Sequence, residues 1–237
     1  MINVTIWNEF KHERNSKNVR KVYPEGIHKA IGSFLDSDDI NITYATLDME
    51  SCGLTDEVIN NTDVLFWWGH MAHNEVPDEI VTKVHDAVLK GMGLIVLHSG
   101  HESKIFKSML GTACNLRWRD NDRERVWCVN PGHPIAAGIP ESFELPQEEM
   151  YGEPFGIPNP DDIIFMGWFA GGEVFRSGCT FTRGCGRIFY FQPGHEEYPI
   201  YYNENVQKIL KNAVKWAAPT RKLDSLACVH AAEKPEK

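Results

Sequence analysis

Two apolar runs in this chain end abruptly in histidine-bearing turns. The first is Gly93-Leu-Ile-Val-Leu-His98-Ser99-Gly100-His101, and the second is Arg187-Ile-Phe-Tyr-Phe-Gln-Pro-Gly194-His195-Glu196-Glu197. In an open α/β sheet, ligands bind beyond the carboxyl ends of the strands, so both groups fall where chemistry is expected. The spacing x-x-His-x-Gly after a buried strand matches a nucleophile elbow, the sharp turn that lifts one side chain above a sheet. Here that side chain is His98, which suits metal ligation or acid/base work rather than nucleophilic attack. Ser99 lies one place beyond the apex.

Two further groups follow earlier strand-like runs: Asn8, Glu9 and His12 after the first, and Gly69-His70-Met71-Ala72-His73 after the third. A fifth segment, Gln147-Glu148-Glu149-Met150-Tyr151-Gly152-Glu153, is acidic and aromatic between Pro146 and Pro154, and reads as a loop or lid carrying a carboxylate to the rim. Imidazoles with a carboxylate suit two chemistries. They can hold Zn²⁺ or a similar divalent cation with one position left open, here through His70, His98, His195 and Glu149. Alternatively they form a metal-free acid/base pair. Glu197 is expected to orient His195. His85 and His230 read as bystanders, and His28 and His133 as capping or packing residues. Aromatic and polar groups near the same strand ends (Asn8, Glu9, Trp68, Ser99, Arg119, Tyr151 and Arg176) form a candidate binding surface for a sugar-like polyol.

The elements that must position these residues alternate through the first half. Strands are predicted over 2–7, 40–47, 63–68 and 94–97, with helices over 19–35 (interrupted by Pro24), 55–60, 77–90 and 100–110. Single helices between strands give right-handed crossovers and a doubly wound sheet. The middle reads as short strands over 125–130, 163–168, 173–175, 180–182 and 187–191, extending the sheet or forming a flap beside it. A last helix spans 203–217 and is ended by Pro219. The expectation is a flavodoxin-like, mostly parallel sheet with helices on both faces and a short-stranded β-rich insertion. It forms one domain over 1–218 with a C-terminal extension over 219–237.

At 237 residues, 42% hydrophobic and 24% charged, the chain can bury a substantial core. A net charge of −9 argues against nucleic acid or an anionic membrane surface as partner. No apolar run approaches the roughly 18 residues of a membrane span, and the amino terminus reads as a first strand rather than a signal peptide. Six cysteines without a C-x-x-C pair fit reduced thiols in a cytoplasmic protein. Homo-oligomeric assembly is left open.

These motifs together resemble the ThuA-like (trehalose utilisation) family, which shares the class I glutamine amidotransferase-like fold. The resemblance runs to about Pro219. It rests on Val4-Thr-Ile-Trp-Asn-Glu-Phe-Lys-His12, Trp67-Trp-Gly-His-Met-Ala-His73, the two histidine turns above, Pro131-Gly-His-Pro-Ile-Ala-Ala-Gly-Ile139 and Glu148-Glu-Met-Tyr-Gly-Glu153. In amidotransferases the elbow holds a catalytic cysteine and a late strand supplies a His-x-Glu pair. His195 and Glu197 match that pair, whereas His98 takes the cysteine position, so no thioester route to glutamine hydrolysis is expected. The resemblance implies carbohydrate utilisation, with trehalose or a keto-sugar derivative as substrate class. The expected activity is a metal-assisted hydrolase or lyase. The alternative is a non-catalytic sugar-binding or regulatory protein on the same scaffold.

Overall fold

The structure, a computed structural model, describes residues 1–236. One nine-stranded sheet runs through it in the order β2-β1-β3-β4-β9-β8-β7-β5-β6. The strands are β1 (Ile2–Asn8), β2 (Ile40–Thr46), β3 (Val64–Trp68), β4 (Gly93–Leu97), β5 (Arg117–Cys128), β6 (Ser142–Gly152), β7 (Asp162–Phe169), β8 (Val174–Arg183) and β9 (Gly186–Phe191). Strands β2, β1, β3, β4 and β9 pair in parallel. All pairs from β9 through β8, β7 and β5 to β6 are antiparallel.

The parallel half follows the predicted pattern. Val64-Leu-Phe-Trp-Trp68 and Gly93-Leu-Ile-Val-Leu97 are buried along their whole length, as strands covered on both faces must be. Helices Ile27–Leu35 and Glu204–Ala217 pack on one face and supply Ile31, Leu35, Ile209 and Val214 to its core. Helices Asp56–Asn61, Asp78–Lys90 and Lys104–Leu110 cover the other, burying Ile59, Val84, Val88 and Phe106. Pro24 separates helix Lys17–Val22 from Ile27–Leu35, as its missing N–H requires.

The antiparallel half departs from expectation. The sheet is parallel in only one half, and the inserted strands are long, 12 residues in β5 and 11 in β6. The segment predicted as a lid is strand β6. Its Pro146 is tolerated because β6 is the outermost strand, where a proline need not remove a ladder hydrogen bond. The two short strands predicted over 173–182 are one, β8. Ser177-Gly178 resembles a turn in sequence, but glycine is there because a Cβ at 178 would lie 2.5 Å from Phe165 Cδ2 on β7. Residues 219–236 carry neither helix nor strand; Lys222 Nζ meets Asp63 Oδ1 at 2.6 Å and the Leu223 amide donates to Lys90 O.

Candidate active site at the carboxyl rim of the parallel strands

Strands β3, β4 and β9 each deliver a histidine to the same rim. His98 caps β4 with φ of +49°, a left-handed conformation unusual for a residue with a Cβ, as the elbow geometry demands. His70 follows β3 and His195 follows β9, while Glu149 reaches in from β6. The three imidazole centroids lie 5.8 Å (70–98), 5.7 Å (70–195) and 5.4 Å (98–195) apart. Ligand atoms of His70, His98, Glu149 and His195 all fall within 4.8 Å of one another. Trp68, His70, His98 and Tyr151 stack as a column with interplanar angles of 14°, 7° and 13°. The His195 ring stands edge-on to His70 and His98.

Hydrogen bonds fix which nitrogen of each ring faces the centre. His98 Nδ1 donates to Gln192 O at 3.0 Å, so its Nε2 carries the lone pair. That Nε2 is wholly buried and has no well-aligned partner, and it lies 3.1 Å from Glu149 Oε2, which is equally unpartnered. A lone pair facing a carboxylate oxygen at that distance needs a cation or a proton between them. Without a cation the proton goes to His98. Burial disfavours that charge, but the Glu149 and Glu148 carboxylates outweigh it and raise the ring to about 9. Glu149 is pushed down to about 2: its own burial acts the other way, and the facing His98 prevails.

His70 Nδ1 lies 3.0 Å from His12 Nε2, and His12 Nδ1 lies 3.2 Å from the buried carboxylate of Glu196. With Glu196 accepting, the protons align so that His70 keeps a lone pair on Nε2, the arrangement that outer carboxylates impose on metal-bound histidines. His195 differs. The Glu197 amide donates to its Nδ1 at 3.2 Å, which leaves the ring proton on Nε2. Burial, reinforced by the charge of His98, holds His195 down at about 3 and His70 at about 2, so both are neutral at pH 7.

Buried carboxylates hold the loops in place. Glu9 accepts from the amides of His70, Met71 and Ala72 at 2.8 to 3.1 Å. Glu148 accepts from the amides of Glu149, Gly194 and His195 at 2.9 to 3.2 Å. Burial raises Glu148 to about 7 against these three amides and His98. Gly194 (φ +155°) passes so close that a Cβ would lie 2.2 Å from Tyr201 Oη. Behind His98, Ser177 Oγ lies 2.9 Å from Glu124 Oε1 and 3.2 Å from Gln192 Oε1. One hydroxyl hydrogen cannot serve two acceptors, and a neutral Glu124 removes the conflict. Its complete burial, beside Glu148, pushes its carboxyl well above the usual range.

The predicted residues divide accordingly. His70, His98, His195 and Glu149 come together, and His70, Ser99, Glu149, Tyr151 and His195 line a cleft of about 410 Å³. Asn8 points inward, with Nδ2 against Glu13 and His28, and Glu9 is fully engaged by amides, so neither is free for a ligand. Trp68 is buried and donates its Nε1 to Gly194 O. Arg176 grips Glu153 and Phe155 O, bracing the end of β6. Arg119 stands opposite Met150, one position out of phase with the Trp118–Tyr151 pair, and so faces the far side of the ribbon, bound to Glu173. The Glu197 side chain is exposed; Glu196 is the carboxylate among the histidines. The expectation that Glu197 orients His195 is thereby corrected, because Glu197 points to solvent and the buried acid is its neighbour Glu196. His133 caps a short turn at Ile135, as expected.

Fold and site thus define an α/β protein with a histidine–carboxylate centre on the rim of its parallel strands. The chain belongs to the ThuA family, described as trehalose utilisation, whose model matches residues 3–217. A ThuA-like protein structure from Parabacteroides merdae superposes with a TM-score of 0.67 at 15% identity, covering 94% of this chain and 92% of that one. Another from Bacteroides uniformis gives 0.66 at 14%, covering 91% of each. A β-galactosidase from Rahnella sp. R3 gives 0.58 at 10%, over 92% of this chain and 32% of the other. At such identities these are likenesses of fold. No curated protein matches the sequence significantly. Among the described residues, no helix is long and apolar enough to cross a membrane.

Proposed function

We propose that the rim centre holds a divalent cation, with Zn²⁺ the best match to its donors, and that the protein is a hydrolase or lyase acting on a sugar in carbohydrate utilisation. The observation that carries the reading is the pair of buried, unpartnered atoms His98 Nε2 and Glu149 Oε2, 3.1 Å apart. His70 and His98, each with its outer nitrogen engaged, join Glu149 as a two-histidine, one-carboxylate set of the kind catalytic zinc sites use, with a position left open. A cation there would act as a Lewis acid on a sugar oxygen.

His195 is within reach of the same point, but with its proton on Nε2 it is better suited to donate to a substrate or leaving-group oxygen. Glu148 holds the backbone of that donor, and Tyr151 with Ser99, joined at 2.8 Å, supplies hydroxyls to the cleft wall. Membership of the trehalose utilisation family supports the carbohydrate context, with trehalose or a keto-sugar derivative as the substrate class.

The test is turnover of neutral disaccharides and their keto derivatives by native, chelator-stripped and Zn²⁺-restored protein. Loss on stripping and recovery on restoration are expected, with His195→Gln keeping its metal and losing turnover. A second reading rests on the same 3.1 Å contact: the His98 imidazolium and Glu149 carboxylate serve as a metal-free acid/base pair. Turnover that survives complete metal removal selects it. Sugar binding without any turnover selects a non-catalytic binding role.

A further inference from the structure

The cleft leading to the histidine centre has a one-sided polarity. Its charged lining residues are Glu102, Asp120 and Glu149, joined by Asn115, and among the described residues no lysine or arginine lines it. Lys107, the cation beside the mouth, is paired with Glu102. Arg117 and Arg119 are absent from this lining and border an adjoining cleft that shares Trp118 and Asp120, where Arg119 is paired with Glu173 and Asp122. Trp118 lies opposite Tyr151 at the mouth and is 63% exposed, a large aromatic face with no stacking partner among the described residues. At the cleft floor, Glu149 Oε2 is buried without a hydrogen-bond partner.

We infer that this cleft takes an uncharged pyranoside, one sugar face lying on the Trp118 indole, and rejects the phosphorylated form of the same sugar. The inference rests on the sugar reading above and adds its charge class and its binding platform. The apolar C–H face of a pyranose ring matches an exposed indole, and its hydroxyls match acceptors such as Asp120 and Asn115. A phosphate dianion on the same ring would meet Asp120 and Glu102, while the nearby Lys107, Arg119 and His98 are each already paired with a carboxylate. At contact distances near a protein surface such repulsion weakens binding roughly tenfold or more.

Calorimetric titration of the full-length protein tests this, with metal stripped so that phosphate cannot bind a cation directly. The titrants are glucose, trehalose, glucose 6-phosphate and trehalose 6-phosphate. We expect a neutral sugar to bind and its phosphate ester to bind at least tenfold more weakly. Trp118→Ala should cut neutral-sugar affinity about tenfold, while Trp118→Phe keeps most of it. Asp120→Lys should narrow the gap between ester and neutral sugar. Trp118 is exposed, so its variants should fold, which circular dichroism checks. Equal or tighter binding of the esters, or unchanged affinity in Trp118→Ala, overturns the inference while leaving the sugar reading intact. Binding of none of the four, to stripped or to Zn²⁺-restored protein, overturns both.

Discussion

Replacing Glu9 by glutamine should destabilise the whole protein, although the residue stands at the active rim. Its carboxylate, 2% exposed, holds the amides of His70, Met71 and Ala72. Hydrogen bonds to a charged acceptor contribute about 1.5–3 kcal/mol and neutral ones about 0.5–1.5, so each of the three amides loses about 1 kcal/mol. Glutamine also turns an NH₂ group toward one of these donors. The expected cost of Glu9→Gln is about 3–4 kcal/mol, a large share of the roughly 5–15 kcal/mol that holds a domain together. Glu9→Ala leaves three buried amides unpaired and should cost more. Equilibrium urea unfolding at pH 7 measures both. The same loop places His70, so metal affinity should fall in parallel. If Glu9 instead contacted a ligand directly, Glu9→Gln would unfold within about 0.5 kcal/mol of the native protein and alter only sugar binding. That result would refute a structural role for Glu9.

Glu124 sets a pH dependence. Its folded carboxyl titrates above its unfolded value, so the folded state holds a proton that the unfolded chain releases, and stability falls as pH rises above about 4.3 toward the folded value. Glu124→Gln removes that loss: thermal melts should show the variant gaining on the native protein from about pH 4 upward, and parallel curves would contradict it. Behind His70, Glu196→Gln should lower Zn²⁺ affinity about 10–100-fold, as loss of an outer carboxylate does, with little change in fold; competition with a chelating dye measures it. Glutamine hydrolysis should be absent, since the elbow residue is His98 and the neighbouring Cys114 is a buried thiol bonded toward Thr112. Ammonia release that disappears in His98→Ala would contradict this.

Local pattern carried the parallel half and the histidines in it. Fully apolar runs such as Val64–Trp68 and Gly93–Leu97 announce buried strands, and a residue that follows one must lie on the rim. Hence His70, His98 and His195 were legible. The antiparallel half was not, because β5 is largely polar with an exposed first half, and β6 carries a proline and adjacent glutamates. Their strand state comes from pairing partners far away in sequence. The roles of Glu9, Glu148 and Glu196 were hidden for a related reason. A carboxylate buried against backbone amides has the same letter as one in solvent, and only the folded loops distinguish them. Register likewise separates Trp118, which faces the cleft, from Arg119, which does not.

Whether a cation sits between His98 and Glu149 decides the proposed chemistry. Crystals grown with Zn²⁺ and measured at its absorption edge test this most directly. A single anomalous peak is expected at about 2.0–2.2 Å from His98 Nε2, Glu149 and His70, with His195 turned to the open position. No peak there at saturating Zn²⁺, with His98 and Glu149 still in direct contact, would contradict it.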